Sequence, residues 1–221
     1  MRSPFRYGFI LVGSYRHEVV EVNLSEDDLR LAIEHVKKVF KGSKEFLTED
    51  GLDSQGHYAG EGYTSSNFIL GALGQGAVSG YLNNDVIEGL TQYIIGGPDN
   101  GLDVVTRAGS RRLQVKAFNW ILAAKGSRLP DDWMIVNDDH ELETAESNFD
   151  YFVGCQRIEP DWIRVLGVIS PADFKLFSVD RTKEYGCKGL EKRGLQQKDL
   201  CQLKTIECFA RDFGLRSSQV R

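Results

Sequence analysis

Between Gly101 and Trp120 the chain reads GLDVVTRAGSRRLQVKAFNW, two apolar runs joined by a short polar connection. That pattern predicts a β-hairpin and commits the chain to at least one sheet. Alternation with a period of two puts Gln114 and Lys116 on one side of the second strand, with Leu113 and Val115 on the other. Asp103 stands at the head of the first run. A hairpin that otherwise reads as core thus presents an acid, an amide and a lysine.

The rest of the chain alternates in type around this hairpin. FILV followed by EVVEV predicts a strand pair near the start. Ser25 ahead of Glu26, Asp27 and Asp28 is a helix N-cap with acids on the positive end of the dipole. Leu29, Ala32, Ile33, Val36, Val39 and Phe40 then mark one face, which predicts a helix over about 26–41. Residues 67–82, NFILGALGQGAVSGYL, predict a small-residue helix whose glycines allow close packing, ending near Asn83 and Asn84. QYII, LDVV, RLQVKAF, DYFVGCQ and WIRVLGVIS predict strands, and Ser170-Pro171 starts a short helix. The run LQQKDLCQLKTIECFARDFG predicts one final helix. The expected architecture is α/β, a small central mixed sheet flanked by helices.

Composition narrows the class. At 221 residues, 41% hydrophobic and 27% charged, the chain can bury a substantial core. No apolar run approaches the roughly 20 residues that span a bilayer, so no membrane association is expected. The opening MRSPFRYGFILVGSYRHE is too interrupted for a signal peptide. A cytoplasmic location is therefore expected, with Cys155, Cys187, Cys201 and Cys208 as reduced thiols. The net charge of −5 disfavours a general nucleic-acid coat, but it is uneven. Acids dominate 131–161, whereas the tail from Arg181 is richer in Lys and Arg, leaving room for a local phosphate-binding face. His17, His35, His57 and His140 are scattered and read as surface or capping residues.

The hairpin carries the chemistry. Phosphodiester hydrolysis needs a divalent metal held by hard oxygen ligands, and it profits from a lysine beside the water and the phosphate. Asp103, Gln114, the Val115 carbonyl and Lys116 supply those pieces. Asp103, an apolar strand, and LQVK with its glutamine eleven residues on resemble the PD-(D/E)xK nuclease superfamily in its glutamine form, D…QxK. The order of elements over about 67–177 supports that resemblance, and PDNGLDVV even contains a literal Pro98-Asp99.

The resemblance implies a restriction-endonuclease-like core over 67–180. Ahead of it lies an N-terminal region (1–66) suited to recognition or dimer contacts, and after it a basic C-terminal helical extension (181–221). It further implies a Mg²⁺-dependent endonuclease, with Mn²⁺ as a substitute, most simply a type II restriction enzyme. Asp103, Gln114 and Val115 would hold the metal and Lys116 would act on water and phosphate. Gln75 stands where many members carry glutamate, with Glu88, Asp99 and Glu61 as alternative acids. The expected partner is double-stranded DNA, contacted through Arg107, Arg111, Arg112, Lys188, Lys192 and Arg193. Cutting both strands of a palindrome would favour a homodimer. Two readings stand beside this one. A degenerate member of the same fold would bind DNA without cutting. A dinucleotide binder would use GALGQG as a phosphate turn at the start of a helix.

Overall fold

The structure, a computed structural model, describes residues 4–42, 65–91, 103–119, 132–137, 142, 148–180 and 192–215. The predicted strand at QYII lies outside these residues, as do Glu61, Asp99 and Lys188. The described elements run β1 (Phe5–Val12), β2 (Tyr15–Asn23), α1 (Glu26–Gly42), α2 (Ser65–Asn83), α3 (Val86–Thr91), β3 (Val104–Val105) and β4 (Arg112–Asn119). They continue with β5 (Asp132–Asn137), β6 (Tyr151–Glu159), β7 (Trp162–Ile169), α4 (Pro171–Phe177), β8 (Val179–Asp180), β9 (Lys192–Gln196), a 3₁₀ turn (Gln197–Gln202) and α5 (Ile206–Asp212).

Six strands form a mixed sheet in the order β1-β2-β7-β6-β4-β3, antiparallel throughout except for the parallel pair β4–β6. The N-terminal hairpin is thus part of the main sheet, through β2 and β7. Alternation sorts the side chains onto two faces. Val20, Val22, Leu113, Val115, Val153 and Val165 pack beneath α1, α2, α3 and α5. Ile10, Val19, Phe152, Leu166 and Ile169 face a second core with Phe174 of α4, Leu195 of β9, and Leu200 and Leu203. A small sheet, β5-β9-β8, belongs to that second layer.

Local signals explain most boundaries. Ser25 caps α1 as expected, its Oγ accepting from the Asp28 N–H at 3.2 Å while Asp28 Oδ2 accepts from the Ser25 N–H at 2.8 Å. Ser170 caps α4, with Pro171 opening it. The predicted final helix is instead broken in two. Leu203 and Lys204 cross β7, where Lys204 exchanges two backbone hydrogen bonds with Val168 at 2.8 and 3.0 Å. Gly167 permits that crossing, since a Cβ there would stand 2.6 Å from the Lys204 carbonyl oxygen, and its φ is +145°. Thr205 then starts α5 afresh by accepting from the Cys208 N–H. His17, expected at the surface, is fully buried, with Nε2 2.6 Å from the Leu166 carbonyl oxygen. Burial pulls its pKa down, favouring the neutral ring.

Helix α2 lies very close to its neighbours because its contact positions are glycines. A Cβ on Gly74 would stand 2.9 Å from Ala117 Cβ and 3.2 Å from Val115 Cγ1 of β4. From α3, a Cβ on Gly89 would meet the Gln75 carbonyl oxygen at 2.4 Å and Gly76 Cα at 2.8 Å. Those neighbours are backbone and cannot rotate away. Gly89→Ala is therefore expected to destabilise the chain by about 1–3 kcal/mol, as over-packing does. Urea unfolding followed by circular dichroism measures this, and an unchanged midpoint would contradict the close crossing.

Candidate functional site at the β3–β4 hairpin

Two anchors hold the hairpin to α2. At one end Asn83 donates from Nδ2 to the Val105 carbonyl oxygen at 2.9 Å, and its Oδ1 accepts from the Arg107 N–H at 3.0 Å. At the other end Gln75 donates from Nε2 to Asp103 Oδ1 at 2.9 Å. The second carboxylate oxygen, Oδ2, accepts from the backbone N–H of Val115 at 2.6 Å. Asp103 thereby extends the edge of β4 past the two-residue strand β3, while its own N–H donates to the Leu113 carbonyl oxygen at 3.0 Å. The turn between the strands closes through Thr106, whose Oγ1 accepts from the Arg111 N–H and donates to the Ala108 carbonyl oxygen, both at 2.8 Å.

The expected alternation along β4 holds. Leu113, Val115 and Ala117 pack on the helix side. Phe118, on the Gln114–Lys116 side, packs on the opposite core. Lys116 is half-buried and Gln114 is buried. Both glutamines of interest carry an orphan: Gln75 Oε1 and Gln114 Oε1 are buried without a hydrogen-bond partner. A buried acceptor left so costs about 1–3 kcal/mol; Gln75 carries its orphan beside Asp103, whereas Gln114 carries its own on the side of β4 away from α2. Cys155 of β6 lies nearby, and burial, together with the charge of Asp103, pushes its thiol pKa up.

The donor set suits a hard divalent cation in kind. Asp103 and the unpartnered Gln75 oxygen are hard oxygens on the helix side of β4, with the Gln114 oxygen on the other side, and Mg²⁺ sites often use one or two carboxylates with substrate completing the shell. Among the described residues no group of three or more His, Cys, Asp or Glu could hold a metal, so the amides are essential to that fit. Val115 offers its N–H to Asp103.

The other residues singled out by the sequence are placed elsewhere or differently engaged. Glu88 Oε2 accepts from Arg107 at 3.0 Å, and Asp85 accepts from the same guanidinium at 2.5 Å. Those hydrogen bonds raise the Arg107 pKa, while Asp85 is lowered, chiefly by the Glu88 N–H and then by Arg107. Arg112 pairs with Asp150 at 3.2 Å; burial opposes the Asp150 charge, but the hydrogen bonds and charge of Arg112 outweigh it and hold its pKa down. Arg193 is bound to Ser178, by Nε to Oγ at 2.9 Å and by Nη2 to the carbonyl oxygen at 2.8 Å. Lys192 lies on β9. Arg111 instead stacks over Phe213, 4.5 Å from the ring centroid. The GALGQG glycines lie inside α2, where Gly74 meets β4 and Gly76 meets Leu90, rather than in a turn opening a helix. Sequence reasoning missed Asn83 as an anchor; its only signal was a helix end.

No family model matches the chain, and neither a curated protein nor a solved structure does. The fold and site define an α/β protein with a six-stranded mixed sheet and a polar hairpin edge. No helix among the described residues is long and apolar enough to cross a membrane.

Asp103 accepts from two groups that would otherwise be stranded. Asp103→Ala is expected to lower stability by about 1–3 kcal/mol for each donor left unpaired, and Asp103→Asn by less. Chemical denaturation of both variants checks this. Wild-type stability for Asp103→Ala would show that the two bonds contribute nothing.

Proposed function

We propose that the chain is a Mg²⁺-dependent endodeoxyribonuclease acting on double-stranded DNA, with Mn²⁺ able to substitute, and most simply a type II restriction enzyme. The observation that carries the reading is the buried, unpartnered amide oxygen of Gln75 beside the Asp103 carboxylate, with a second such oxygen on Gln114 on the other side of β4. Oxygens in that state are suited to a cation ligand, and Lys116 emerges half-buried on the Gln114 side of β4. A divalent ion held by Asp103 and Gln114 would screen the phosphate and lower the pKa of water.

The chain's own residues divide the remaining work. Asp103 would hold the ion, with Gln75 supporting it and Gln114 completing the site from the other side of β4, and the ion would screen the scissile phosphate. The Lys116 ammonium orients the attacking water and stabilises the negative charge that builds on phosphorus. In-line attack leaves a 5′-phosphate and a 3′-hydroxyl. Arg111 has no carboxylate within ion-pair distance among the described residues, unlike Arg107 and Arg112, and is the hairpin arginine best placed to meet a backbone phosphate.

A second reading, DNA binding without cleavage, has its own observation. Both oxygens of Asp103 already accept protein N–H groups, and the two neighbouring positions are amides rather than acids. Incubation with plasmid and phage DNA separates the two. Cleavage is expected in Mg²⁺ or Mn²⁺, lost in Lys116→Ala while duplex binding survives. A gel shift with intact DNA in both metals supports the second reading. Neither shift nor cleavage overturns both.

A further inference from the structure

Among the described residues the far edge of the main sheet is unprotected, in a way that points to a second copy of the chain. β1 is the edge strand opposite the hairpin, and it pairs with β2 in unbroken register from Phe5–Val22 to Val12–Tyr15. Edge strands are ordinarily blunted by charge, proline, a bulge or short length. β3, at the other edge, is only two residues long. β1 has eight residues, and from Tyr7 to Val12 its sequence YGFILV carries no charge and no proline. Its one charged residue, Arg6, is at the end, held by Glu21 and Glu159 and stacked over Trp162.

The side chains on this edge form an exposed apolar row. Tyr7, Phe9 and Leu11 alternate onto one face and are 58%, 46% and 60% exposed. Ile10, between them on the other face, is buried in the second core. On β2 the same row is bordered by Glu18 opposite Phe9 and by Arg16 opposite Leu11, with the Arg16 guanidinium over the Phe9 ring at 4.1 Å.

We propose that β1 pairs antiparallel with β1 of a second copy across a two-fold axis at Phe9, making one continuous sheet. The strand is self-complementary about that point. Phe9 meets Phe9, Tyr7 meets Leu11 of the second copy on the exposed face, and Gly8 meets Ile10 on the other. Six apolar side chains then form a stripe whose rim is Arg16 and Glu18, an apolar centre with a charged border. Each copy supplies the other's backbone edge with a partner from Tyr7 to Leu11, and the shared patch makes the interface isologous.

The inference stands independently of the reading of Asp103, but it bears on it. Nine strand spacings of about 4.8 Å would separate the two copies of β4, on the order of 40 Å. The two hairpin sites would therefore address separate stretches of duplex.

Light scattering on the full chain tests the proposal. The expected mass is twice 24.8 kDa at micromolar concentrations, falling to the single-chain mass in Phe9→Lys with the far-UV spectrum unchanged. A second measurement covers the case in which Phe9→Lys fails to fold. On mild oxidation Phe9→Cys should cross-link to itself well beyond the wild-type chain, whose Cys201 is exposed, while Tyr7→Cys should not. A wild-type chain at single-chain mass, a folded Phe9→Lys that stays dimeric, or cross-linking by Tyr7→Cys in place of Phe9→Cys would overturn it.

Discussion

The close approach of α2 to β4 at Gly74 is the contact on which the hairpin site depends. With no side chain there, the helix backbone comes down onto Val115 and Ala117. The next residue along, Gln75, then reaches Asp103 at the edge of β4. Gly89 performs the same service from α3, whose backbone lies against Gln75 itself. Three elements thus fix one amide, and that amide fixes the carboxylate. A larger residue at either glycine would lift Gln75 away from its partner.

From that contact the polarity of the site follows. Asp103 is held by an N–H on each oxygen, so its position is set by the fold before any ligand arrives. The cost is carried by the amides, each of which leaves an oxygen buried and unpaired. A buried acceptor without a partner is unfavourable unless something else satisfies it, and a hard cation is the partner we propose for the Gln75 oxygen and the Asp103 carboxylate. The arginines at the other end of the hairpin differ in kind. Arg107 and Arg112 neutralise carboxylates and tie the turn to α3 and β6.

What was legible in the sequence was mainly what local chemistry decides. The period of two in LQVKAF placed Leu113, Val115 and Ala117 against the helices and Gln114 and Lys116 on the other side, because one face of β4 must be buried. Ser25 and Ser170 marked their helices because a cap acts within one turn. The Gln75–Asp103 bond spans 28 residues and was invisible as a contact, although both residues drew attention separately. The interruption at Leu203–Lys204 is a tertiary effect, a bridge to Val168 that no helical periodicity announces. His17 was misjudged for the same reason, since its partner Leu166 is 149 residues away. β5 lies in a stretch whose acidic composition concealed it.

The central proposal is that Asp103 and the orphan Gln75 oxygen beside it form a cation site. Titration of the isotope-labelled chain with Mn²⁺, read by paramagnetic broadening of amide signals in two-dimensional NMR, tests it most directly. Broadening should appear first at the Val115 backbone amide and at the side-chain amides of Gln75 and Gln114, and should disappear in Asp103→Asn. Broadening that starts at other residues, or that persists unchanged in Asp103→Asn, would contradict the account.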